Sequence, residues 1–184
     1  MHDPNALEEF QRRRNERRRR RYQEDPAYRL VLILRGRLTK LFKLHNIQKN
    51  MSYSHSIGCT PSQLRRYIEQ QFAEWMTWDN HGGRDHEVKS WELDHLKAVL
   101  TFDLENAEQS RRANHWSNLM PLEWQENSGK SDDVDPNFAW NETRGRFMWS
   151  ESSMMPNPEL PPVQEGDAEL DEELEEDDDA EENV

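Results

Sequence analysis

Apolar residues recur at helical spacing from Ala27 to about His45, at Tyr28, Leu30, Val31, Leu34, Leu38, Leu41, Phe42 and Leu44. Arg29, Arg35, Arg37, Lys40 and Lys43 lie among them, so the pattern predicts a long amphipathic helix with an apolar core stripe and a basic polar face. That face is either solvated surface or a track for a phosphate backbone. Residues 3–21 have helical composition, with Asp3-Pro4 as cap and first-turn pair. A further helix is predicted at Thr60-Pro61-Ser62-Gln63: Thr60 caps, Pro61 takes the first helical position and Gln63 stands three residues after the cap. It runs to about Phe72, with Leu64, Tyr67, Ile68 and Phe72 on one face.

Beyond an irregular connection through Met76–Asn80 and Gly82-Gly83, the pattern changes. Trp91-Glu92-Leu93 reads as a strand that runs into Asp94-His95. Leu119–Trp124 is a second strand candidate, although Pro121 limits its pairing. Between them Glu105–Ala113 is a short helix candidate, and Gln125 to about Val134 turns into a final short helix. Trp91, Leu93, Leu119, Leu122 and Trp124 are the expected core of this half. Trp140 and Trp149 suggest that part of Asp135–Met155 packs on the body. These elements define an α+β chain with a helical N-terminal region.

Composition changes the picture at both ends. Only 33 % of the 184 residues are hydrophobic, and the mean hydropathy is −1.19. Such a chain does not offset its conformational entropy along its whole length. Residues 156–184 hold 14 acidic side chains and no Lys or Arg, so the net charge of −13 leaves +1 for residues 1–155. Gln11–Arg21 holds 8 Arg and one Glu. A basic arm, a near-neutral body and an acidic, disordered tail are the expectation. The arm either contacts nucleic acid, with Arg17, Arg18, Arg19 and Arg20 as candidate contacts, or is a nuclear-localisation-like or solvating basic run. The tail is either a solubilising segment, a docking site for a basic partner, or a competitor that folds back on the arm. A single cysteine, Cys59, excludes an internal disulfide and a multi-cysteine zinc site; it reads as a small packed residue. No signal-peptide pattern and no membrane-length apolar run is visible, so a soluble intracellular protein is expected.

Three pieces carry candidate chemistry: Asp94-His95, Asn118-Leu119-Met120-Pro121-Leu122, and Glu126-Asn127-Ser128-Gly129-Lys130. Phosphodiester hydrolysis needs a hard cation with oxygen ligands and a base. Asp and Asn oxygens suit magnesium-type ions, and a neutral His takes a proton near physiological pH. Neighbouring strand residues face opposite ways, so Asp94 and His95 share a site only where the strand ends and the backbone bends. His115 reads as a hydrogen-bonded structural residue rather than a ligand, and His81 and His86 as exposed.

The strings WELDH, HWSNLMPL and QENSGKSDDV, with the lead-in GCTPSQLRRYIEQQF and MTWDN, resemble the HNH endonuclease family over roughly Ser56 to Val134. The family's ββα-metal motif clasps one divalent ion between two antiparallel strands and a helix. The resemblance implies a metal-dependent DNA endonuclease leaving 5′-phosphate and 3′-hydroxyl ends. His95 is then the general base, Asp94 and Asn127 the metal ligands, and Asn118 the organiser of the loop that orients His95. Lys130 is a phosphate-contact candidate. Mg2+ is the implied ion, with Mn2+ as a substitute. The chain departs from many relatives in lacking the cysteine pairs that staple the motif. The expected division is an arm over 1–25, a helical lead-in over 26–89, the ββα core over 90–134, a packing segment over 135–155 and the tail over 156–184. The alternative is a non-catalytic nucleic-acid-binding module on an HNH-like scaffold.

Overall fold

The computed structural model describes residues 4–44, 57–82, 88–129, 135–165 and 167, with backbone alone at 4–7, 35 and 37–44. Helix α1 (Pro4–Glu24) meets α2 (Pro26–Leu44) across Asp25. The Asp25 carboxylate caps α2, accepting from the N–H groups of Ala27 at 3.0 Å and Tyr28 at 3.1 Å. Arg29 closes the same corner. Its guanidinium donates to the carbonyls of Tyr22 and Gln23 at the end of α1, and to Trp78 at 2.6 Å. Arg29 therefore serves the fold, not the basic track suggested by its place among the helix's cations.

Helix α3 (Pro61–Glu69) starts as its sequence predicts: Thr60 Oγ1 accepts from Gln63 N–H, and the Gln63 side chain accepts from Thr60 N–H, both at 3.2 Å. It presents Leu64, Tyr67 and Ile68 to Tyr28, Leu30, Val31 and Leu34 of α2, and Cys59 is buried beside them. The expected helix to Phe72 is three residues shorter; Phe72 still packs on the core.

Strands β1 (Trp91–His95) and β2 (Leu119–Glu123) form an antiparallel pair with Leu93 opposite Pro121 and Asp94 opposite Met120. The ladder continues past both ends, with Leu96 N–H donating to Asn118 and Trp124 N–H to Ser90. That phase puts Leu93 and Pro121 in a non-hydrogen-bonded pair, so the proline's missing N–H costs the ladder nothing. Trp91, Leu93 and His95 face inward with Leu119 and Pro121, while Glu92, Asp94, Met120 and Leu122 occupy the other face. Hydrophobicity alone places Leu122 in the core; the two-residue period turns it outward and brings Pro121 in. Trp124 is also only half-buried. Trp91 anchors the inner face: it packs on Phe72 at 4.8 Å and Trp78 at 5.3 Å and donates to the Thr77 carbonyl at 2.6 Å. Burial of one such side chain is worth about 1.5–3 kcal/mol.

Helix α4 (Ala107–Asn114), capped by Asn106, lies between the strands, and the short α5 (Trp124–Gly129) follows β2 and packs against both. A hairpin of β3 (Phe138–Asn141) and β4 (Arg146–Trp149) completes the body. Within its turn Asn141 Oδ1 accepts from Arg144 N–H at 2.9 Å, and Gly145 adopts a φ of 60°. Phe147 N–H donates to Ser117 Oγ at 2.8 Å, which docks the hairpin beside β2.

Residues 156–165 and Asp167 belong by composition to the acidic tail, yet they lie along the body. Asn157 exchanges two hydrogen bonds with the Trp149 backbone. Glu159 pairs with Arg146 through both carboxylate oxygens, Leu160 packs on the core, and Asp167 grips Arg66 at 2.7 and 2.9 Å. Among the described residues, the arginines it engages are Arg66 and Arg146 of the body. Among the described residues no helix is long and apolar enough to cross a membrane. The molecule is a mixture of helices and small antiparallel sheets, an α+β architecture.

Candidate functional site

The three candidate strings fall on β1, the start of β2, and α5. Asn118 is fully buried. Its Oδ1 accepts from Lys97 N–H at 2.8 Å, and its Nδ2 donates to the carbonyls of Lys97 at 3.1 Å and Ala113 at 2.8 Å. One side chain thus ties the turn after His95 to the end of α4. A buried amide held at both ends is rigid, because releasing it strands several polar groups.

Asp94 lies on the outer face of β1, the face that also carries Glu92. From α5, Asn127 Nδ2 donates to Glu92 Oε2 at 3.1 Å. The side chain that Asn127 touches is therefore Glu92, two residues before Asp94 on the same face. Glu92 is the site residue that the sequence reading missed. The signal available was its i−2 relation to Asp94, which in a strand means a shared face.

His95 is the last residue of β1, and only 9 % of it is exposed. The expected bend between Asp94 and His95 falls later, because the ladder runs on to Leu96 and the chain turns beyond it. The alternation therefore carries His95 to the inner side while Asp94 stays on the outer one. Lys130 lies outside the described residues, as does His86.

The other described histidines, His115 and His81, are structural in their contacts. His115 Nδ1 stands 2.8 Å from Ser117 Oγ. The Ser117 N–H also donates to Nδ1, at 3.4 Å, so Nδ1 is the acceptor and the ring is the neutral Nε2–H tautomer. Burial, with the charges of Arg111 and Arg146, pushes the His115 pKa down to about 4. Gly58, at a φ of 76°, lets the ring approach; a Cβ there would stand 2.9 Å from His115 Cδ2. His81, expected to be exposed, is half-buried, with its ring 4.5 Å from that of Trp91. Tyr67, also desolvated, has its hydroxyl pKa raised well above the usual value.

Among the described residues no three His, Cys, Asp or Glu side chains gather as a metal cluster. The oxygen donors on the outer face are two carboxylates, Glu92 and Asp94, with the amide of Asn127 in contact with Glu92. Carboxylate and amide oxygens are a donor set that suits a Mg2+-type ion and not a soft metal.

On the arm, Arg17, Arg19 and Arg20 are exposed on α1 and Arg18 is half-buried. Arg18 Nε donates to the Tyr28 hydroxyl at 3.3 Å, and Arg20 lies 4.0 Å from Glu24.

The chain is similar to two uncharacterized proteins of Acanthamoeba polyphaga mimivirus. It is 37 % identical to one over 128 residues, covering 70 % of this chain and 53 % of the relative. It is 35 % identical to the other over 122 residues, covering 66 % of this chain and 50 % of the relative. The chain thus spans about half the length of the curated relatives it matches. No family model and no solved structure matches the chain.

Proposed function

We propose that the chain is a metal-dependent DNA endonuclease of the HNH type. The observation that carries this reading is the Asn118 staple within a β–β–α order: an Asp-His pair ends β1, a buried Asn opens β2 and fixes the turn after that pair, and a second Asn projects from the following helix. Asp94 and the Asn127 carbonyl oxygen would hold the divalent ion. When bound, Mg2+ or Mn2+ neutralises charge on the phosphate and on the leaving oxygen. His95 takes the proton of the attacking water. Asn118 holds the turn so that His95 stays at the strand end. Arg17, Arg19 and Arg20 attract the phosphate backbone without reading sequence.

The proposal is tested by nicking of supercoiled plasmid with Mg2+ or Mn2+. The wild type nicks, and His95→Ala does not although it stays folded. Nicking that survives His95→Ala removes His95 as the base. The burial of His95 on the side away from Asp94 favours a second reading, a nucleic-acid-binding module without catalysis. Tight, salt-sensitive DNA binding with no cleavage under any divalent ion would select it.

A further inference from the structure

We infer that Glu92 is a positioning residue of the cation site: it sets which atom of Asn127 faces the ion. The inference rests on the endonuclease reading above. An ionised carboxylate only accepts hydrogen bonds. Facing Glu92 Oε2 at 3.1 Å, Asn127 must therefore present its Nδ2 amide to Glu92. The carbonyl oxygen is then the end left to bind a cation, and a carbonyl oxygen is the ligand a hard ion takes. Were the amide reversed, two oxygens would face each other across this contact, and an NH2 group whose lone pair is delocalised into the carbonyl would face the ion. Asn127 also sits on a helix of only six residues, α5, next to its end. So short a helix holds its side chains weakly by itself, and the contact to β1 supplies an anchor for a half-buried side chain. A charge-assisted bond of this kind is roughly twice as strong as a neutral one.

The test is Mn2+ binding to the full chain without DNA, read from the free-ion electron paramagnetic resonance signal, for wild type, Asp94→Ala, Glu92→Ala and Glu92→Gln. Partners that orient metal ligands typically contribute about 10- to 100-fold in affinity, so Glu92→Ala should bind Mn2+ about 10- to 100-fold more weakly. Glu92→Gln keeps an acceptor for the Asn127 amide and should recover most of that loss. Glu92→Met replaces Glu92→Ala if the smaller side chain does not fold. Wild-type affinity in Glu92→Ala, with binding lost in Asp94→Ala, overturns the role of Glu92 and leaves the endonuclease reading standing. Equal loss in Glu92→Gln and Glu92→Ala overturns positioning in favour of charge alone. Equal Mn2+ binding by wild type and Asp94→Ala overturns the cation site itself, and the role of Glu92 with it.

Discussion

Asn118 and Lys97 are joined twice: the Lys97 N–H donates to the Asn118 side chain at 2.8 Å, and the Asn118 amide returns to the Lys97 carbonyl at 3.1 Å. The pair clamps the turn that begins where β1 ends. Asn118→Ala should lower stability by roughly 2–4 kcal/mol, since each buried group left unpaired costs about 1–3 kcal/mol. Asn118→Asp should also destabilise, because an ionised carboxylate would replace the donor facing the Lys97 and Ala113 carbonyls. Urea denaturation measures both; wild-type midpoints would show that the turn is held by other contacts.

His115 makes stability depend on pH with a definite sign. Its folded pKa, about 4, lies below the unfolded value, so the fold favours the neutral ring. The stabilisation is complete above about pH 6.5, where both states are neutral, and is lost as pH falls from there towards the folded value. Burial is the main cause, and the loss should reach about 3 to 3.5 kcal/mol before it levels off. The ring protons of His115, followed by NMR, should not titrate until near pH 4. Titration near the unperturbed value, about pH 6.5, would mean that the ring is solvated and the Gly58 contact is open.

The strap formed by residues 156–165 and Asp167 should behave as part of the body. It contributes the packing of Leu160 and the paired anions Glu159 and Asp167. Arg66 beside Asp167 holds that carboxyl below its usual range. A chain ending at residue 155 should lose about 2 kcal/mol or more, because half-buried Arg66 and buried Arg146 are stripped of their partners. An unchanged melting temperature would show that the strap only decorates the surface.

Two groups of arginines should separate in experiment. Arg29→Ala should cost stability, by about 2 kcal/mol, since charge-assisted bonds contribute roughly 1.5–3 kcal/mol. Replacing the exposed Arg17, Arg19 and Arg20 with Ala should leave the stability within about half a kcal/mol of wild type. It should instead weaken DNA binding and make its salt dependence shallower by about 0.9 for each phosphate no longer neutralised. Filter binding across a salt series reads the slope; an unchanged slope would remove the arm as the partner of the phosphate backbone.

Much of the architecture is legible in the sequence where the determinants are local. The Thr60 capping box, the first half of the α2 stripe from Tyr28 to Leu34, and the two strands around Asp94-His95 and Leu119 each follow from neighbours a few residues apart; the side chains of Leu38, Leu41, Phe42 and Leu44 lie outside the described residues. The hairpin at Phe138–Trp149 is not legible. Its strands have four residues each, and its dock is Ser117, about thirty positions earlier. Hydrophobicity points Leu122 inward, whereas the register with β1 turns Pro121 in. Glu92 stays hidden because its partner, Asn127, lies 35 residues on. The strap is hidden because acidic composition does not reveal that Arg66 and Arg146 pair with Asp167 and Glu159.

The central claim is that Asp94, His95 and Asn127 serve one hydrolytic reaction at the end of β1, although Asp94 and His95 leave the strand on opposite sides. It is tested most directly by Mg2+-dependent nicking of supercoiled DNA, with Asp94→Ala, His95→Ala and Asn127→Ala assayed beside the wild type and each checked for folding by circular dichroism. The account predicts nicking by the wild type that disappears with chelator, and loss of nicking in all three folded variants. A wild type that binds DNA but leaves plasmid intact under Mg2+ and Mn2+, or three variants that nick as well as it does, would contradict the account.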